Sequence, residues 1–183
     1  ILLGTSRGLN HVIADERVDA RTRMLLAEID DIKAYGRAHG LSVRANYRRF
    51  VQLPTDAAVW FVGGADPLSF AARKFCFPIV GCFAGLGWFD VDDAVWHRQK
   101  MLDAGLDAFA RPAAAYSTGG WFPDPVLSTM LDDGDGALPA LVNVILHESV
   151  HATVLVPDQP FFNESFATYV ADTLTDAWIE EHY

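Results

Sequence analysis

Between residues 138 and 156 the chain reads Leu-Pro-Ala-Leu-Val-Asn-Val-Ile-Leu-His-Glu-Ser-Val-His-Ala-Thr-Val-Leu-Val, apolar on nearly every face. A helix of that kind has no polar side to offer water, so the rest of the fold must be built around it. Pro139 is tolerated in a first turn and Pro157 stops the helix, which the pattern therefore places at about 139–156. The polar side chains in its second half, His147, Glu148, Ser149 and His151, are costly in an apolar core unless they are paired or coordinate a metal. His147 and His151 are four residues apart, so both imidazoles leave the helix on one face, a turn apart. With Glu148 between them they complete H-E-x-x-H, in which two histidines bind zinc and the glutamate serves as general base.

A hydrolytic zinc keeps three protein ligands and an open fourth position, so one ligand must come from elsewhere. Glu164 is the candidate. It stands in Phe-Phe-Asn-Glu-Ser-Phe-Ala near the start of a last helix, expected over about 163–181, behind a turn with two prolines that folds the chain back beside the first helix. Small residues one turn on, Ala167 and Thr168, let the two helices approach. His11, His39 and His97 fall on polar segments that read as exposed, and His182 lies at the end of the chain. The expected inventory is one Zn2+ per chain held by His147, His151 and Glu164, with Glu148 as the acid/base of peptide hydrolysis.

The rest of the pattern fits one α+β domain over residues 1–183: a small mixed sheet packed on the buried helix and the glutamate-bearing helix after it. Apolar residues recur at helical spacing over about 15–39, with Asp15 as the expected cap and Gly40 as the stop. The run 57–62 reads as a buried strand and 75–89 as a strand or hairpin. Asp90 caps a helix to about Ala104, closed by Gly105, and 107–122 is extended. In that last stretch Tyr116, Gly119 and Gly120 suit an edge strand onto which a peptide substrate would add, an ordinary strand and corner being the equal alternative. Tyr116 and Tyr169 are possible donors to the oxyanion. Cys76 and Cys82, with five residues between them, can close a small disulfide or remain two thiols.

Lys+Arg number 14 against 24 Asp+Glu, a net charge of -10, and that field repels phosphate backbones, so nucleic acid is not an expected partner. No apolar run reaches the roughly 18 residues a membrane helix needs. The sequence opens at Ile1 and a helical pattern runs to Tyr183, so a chain trimmed at both ends is the expectation.

Several blocks are similar to the bacterial predicted aminopeptidases, zinc metallopeptidases of the gluzincin type. They are Ala-Val-Trp-Phe-Val near residue 60, Cys-Phe-Pro-Ile-Val-Gly-Cys at 76–82, Gly-Trp-Phe-Asp at 87–90, Ala-Tyr-Ser-Thr-Gly-Gly-Trp-Phe-Pro-Asp-Pro-Val-Leu-Ser at 115–128, His-Glu-Ser-Val-His, and Asn-Glu-Ser-Phe-Ala-Thr at 163–168. The resemblance implies a zincin-like fold, the same three metal ligands and the same acid/base. It also implies the bacterial cell envelope, because the family commonly carries an N-terminal lipoprotein signal, and hence a lipid anchor upstream of this sequence. The chain departs from the family where His-Glu-Ser-Val-His replaces His-Glu-Leu-Ala-His, and where Ala84-Gly85-Leu86 replaces a stretch with arginine and tyrosine. Both bear on substrate preference more than on the zinc site. Nothing marks a clamp for a free α-amine, for which Asp90, Asp92 and Asp124 are equal candidates. The rivals to an aminopeptidase are an endopeptidase with the same site and a peptide-binding module with a structural metal.

Overall fold

The computed structural model describes residues 6–43, 45–77, 81–114, 123–131, 134–157 and 159–183. The chain is a mixed α+β protein of small sheets and helices, and its residues fall into two compact units.

The first unit comprises the described residues of Ile1–Pro54 and Ser117–Tyr183. It begins with β1 (Arg7–Gly8), α1 (Leu9–Ile13) and α2 (Ala20–Ala38). The expected cap at Asp15 is corrected to Asp19, whose side chain accepts from the Thr22 N–H at 2.9 Å. Asp15 is held instead by the guanidinium groups of Arg7 and Arg17. Gly40 ends this helix with φ +82°, a conformation that favours glycine. β2 (Arg49–Val51) pairs antiparallel with β1 and parallel with β8 (Val126–Leu127), so the small sheet of this unit is mixed.

A 3-10 turn (Ser128–Met130) leads to α4 (Ala137–Thr153) and α5 (Pro160–His182). Leu141, Val142, Ile145 and Leu146 of α4 and Ala167, Ala171 and Trp178 of α5 are fully buried, as are Leu26, Ile29 and Ile32 of α2. α4 packs on both α5 and α2. It is shorter than expected at its C-terminal end because Val154 is already extended, which suits its β-branched neighbourhood. α5 starts three residues earlier than expected, at Pro160, whose missing N–H costs nothing in a first turn.

The second unit is Thr55–Tyr116. Its central strand β3 (Val59–Ala65) is flanked by β6 (Gly85–Trp88) and β7 (Asp107–Ala113), both antiparallel. α3 (Val91–Asp103), capped by Asp90 as expected, packs against β3 and β7, and Gly105 closes it with φ +81°. Val62, Ala94, Met101 and Leu106 form the core here. β4 (Phe75–Phe77) and β5 (Gly81–Phe83) make a hairpin in which Cys76 and Cys82 face each other and are joined by a disulfide. Among the described residues no helix is long and apolar enough to cross a membrane.

Candidate metal centre

The buried half of α4 brings its two imidazoles together first. His147 and His151 stand one turn apart with Nε2 atoms 3.1 Å from each other, and each side chain retains less than a fifth of its exposure. From α5, Glu164 reaches across with both oxygens: Oε2 lies 3.4 Å from His147 Nε2 and Oε1 lies 3.4 Å from His151 Nε2. These three side chains can hold a metal ion between them.

The electrostatics follow from that geometry. Hydrogen bonds from His147 and then His151 hold the Glu164 carboxyl well below the usual carboxylate range, against the opposing effect of its desolvation. The hydrogen bond to Glu164 in turn raises His151, with burial working the other way. Two electron-pair donors and a carboxylate turned toward one point resemble a coordination set more than a core contact, because neutral imidazoles gain little from facing nitrogen to nitrogen.

Glu148 sits beside His147 on α4, and one of its carboxylate oxygens is removed from solvent. Behind it lies a group that the sequence does not mark. Tyr47 is buried at 3 % exposure and held at φ +60°, a left-handed conformation that costs a bulky residue on the order of 1 kcal/mol or more. Its N–H donates to the Asp124 carbonyl at 2.7 Å, and the Asp124 N–H donates to Asn46 Oδ1 at 3.1 Å. The buried ammonium of Lys33, on α2, donates to the Asn46 carbonyl at 2.8 Å. Burial pushes the Tyr47 phenol well above its ordinary range, and the charges of Glu148 and Asp124 push it further. Only tertiary contacts reveal this knot, since nothing in a local pattern announces a tyrosine in a left-handed turn.

Between α4 and α5 the chain is tied by Asn163. Its Oδ1 accepts from the Val156 N–H at 2.9 Å and its Nδ2 donates to the Val156 carbonyl at 2.8 Å. Farther along, Asn143 Nδ2 donates to Asp172 Oδ1 at 2.8 Å.

The remaining candidates fare differently. Tyr116, Gly119 and Gly120 lie outside the described residues. Tyr169 is exposed and sits five residues beyond Glu164, about 140° around the helix from it. Asp90 caps α3 through Oδ1 and is exposed, as is Asp92 on the first turn of that helix, whereas Asp124 is buried against Asn46 and Tyr47. His11 and His39 are exposed as expected, whereas His97 is half-buried and its Nδ1 accepts from Trp88 Nε1 at 3.0 Å. His182 stacks on Trp178.

A family model described as a putative aminopeptidase matches the chain over residues 1–183. No curated protein and no solved structure matches it.

Proposed function

The chain belongs to the putative aminopeptidase family, and from that membership we propose a zinc-dependent peptidase of zincin-like fold that removes residues from the N-terminus of peptides. The observation that carries this reading is the convergence of His147, His151 and Glu164 beside Glu148.

The donor set fits zinc. Bonds of about 2.0–2.2 Å to nitrogen and oxygen place tetrahedral ligands about 3.3–3.5 Å apart; the two Nε2 atoms here are 3.1 Å apart, each lies 3.4 Å from a different oxygen of Glu164, and with one donor atom from each residue all three lie within 4.8 Å of one another. Two imidazoles with one carboxylate also suit zinc better than a hard cation that prefers oxygen alone. Zinc held there supplies a Lewis acid that polarises the scissile carbonyl and makes water acidic enough to attack near neutral pH.

The chain's own work is proton transfer and positioning. Glu148 takes a proton from the attacking water as its oxygen bonds to the carbonyl carbon, then delivers that proton to the leaving nitrogen as the C–N bond breaks. Its place one residue from His147 fixes the base next to the reacting centre, and the partial burial of its carboxylate shields the transfer from bulk water. The disulfide of the β4–β5 hairpin supports an oxidising compartment, in keeping with the cell envelope.

Elemental mass spectrometry on protein purified without added metal tests the reading: about one zinc per chain is expected in the wild type, and none in Glu164→Ala. Peptides with free and blocked N-termini then separate an aminopeptidase from an endopeptidase. Peptide hydrolysis unchanged in Glu148→Gln sinks the catalytic assignment and leaves a peptide-binding module with a structural metal.

A further inference from the structure

Glu164 stands immediately after the first turn of α5, and little of the usual kind holds that turn in place. Gln159, the N-cap, makes no side-chain hydrogen bond to the helix. Phe161 is 80 % exposed and Phe162 50 % exposed, so packing does not fix the turn either. What is buried there is Asn163, at 8 % exposure. Its amide makes two hydrogen bonds to one main-chain residue, Val156, accepting from the N–H and donating to the carbonyl. This is the pair of bonds a neighbouring strand would supply, and asparagine has the donor, the acceptor and the length for both. Val156 lies on the segment leaving α4 just after His151, so the clamp joins the exit of the helix bearing two donors to the residue next to the third.

Resting on the zinc reading above, we propose that Asn163 is a positioning residue: its two-bond clamp on Val156 fixes the first turn of α5 so that Glu164 meets His147 and His151 with both oxygens. A site whose third ligand is pre-set binds metal tightly, whereas one that must order the turn first gives up affinity for that ordering. Groups that orient metal ligands are worth about 10–100-fold in metal affinity.

The test measures zinc binding to metal-free protein by competition with a chelator, on variants confirmed as folded by circular dichroism. Asn163→Asp keeps the shape and the acceptor but loses the donor and sets a charge against the Val156 carbonyl. Asn163→Leu keeps bulk and loses both bonds. Each is expected to bind zinc about 10–100-fold more weakly than the wild type. Asp172→Ala is the control, since it removes the Asn143–Asp172 bond between the same two helices away from the donors. It should lower the melting temperature and leave zinc affinity unchanged. Hydrogen exchange supplies a readout without metal: the Val156 amide, protected in the wild type, should exchange faster in Asn163→Leu. If the wild type binds zinc and Asn163→Asp binds it as tightly, the clamp has no positioning role and the zinc reading stands. Equal weakening by Asp172→Ala also overturns the proposal, because general helix docking would then set the affinity. A wild type that takes up no zinc removes both.

Discussion

α4 and α5 contribute to the same cluster by opposite means. α4 is buried on most sides, with Leu141, Val142, Ile145 and Leu146 inaccessible, and its imidazoles keep only 19 % and 15 % of their exposure. α5 begins in the open: the Glu164 side chain retains 67 % exposure, and aromatic residues on either side of it face water. Two donors are thus held by the packing of a whole helix, and the third by local hydrogen bonds at one helix end. The cost of disturbing each should differ in kind, global stability for the first and metal affinity for the second.

The largest effect expected on that contrast comes from the donors themselves. His147→Ala or His151→Ala should abolish both metal binding and hydrolysis, read by elemental analysis and peptide turnover. Glu148→Gln should reduce kcat by at least 10²–10⁴-fold while the zinc content stays at the wild-type level, and loss of the metal from this variant would break the division between base and ligands. Ile145→Ala probes the α4 side: unfolding should be easier by about 2–5 kcal/mol in denaturant titration, without selective loss of zinc affinity in the folded protein.

The pH dependence of the metal-free protein sharpens the comparison from the α5 side. Glu164 is held below its ordinary value of 4.5, so its contribution to stability is present above that pH and is lost as pH falls further. His151 is raised above 6.5, so its contribution is complete below that pH and is lost as pH rises through the raised range. Together they favour the fold most between about 4.5 and 6.5, and Glu164→Gln should flatten the profile of melting temperature there. The smallest change is expected in the other unit. Cys76→Ser with Cys82→Ser opens a short loop worth roughly 2 kcal/mol, and zinc content should not move.

Much of α4 and the convergence of its two histidines was legible, because helical spacing and burial are local properties that a linear pattern expresses. Glu164 was found from a turn with two prolines, a helix start and the small residues one turn on. The cap of α2 was misplaced because two aspartates suit a helix start, and the first is engaged by Arg17 two residues on and by Arg7 from β1. β1, α1 and β2 were not anticipated, being elements of two to five residues, and the two strands find their partners far along the chain. Asn163 and Tyr47 escaped for a related reason. An amide gripping a main chain seven residues back, and a buried phenol under the field of Glu148, have no signature until the backbone has closed.

The two units also differ in how they are written along the chain. The unit with the disulfide is one continuous stretch, Thr55–Tyr116, whereas the unit with the three donors takes Ile1–Pro54 and then waits for Ser117–Tyr183. At ribosomal speeds of about 5–20 residues per second, the continuous unit is complete several seconds before its split neighbour has all its helices. α2 therefore emerges long before α4 and α5 exist to cover its apolar face, and during that interval Leu26, Ile29 and Ile32 have none of their final partners on α4. Most of that interval falls before residue 147 is made, when no metal ion can shorten it.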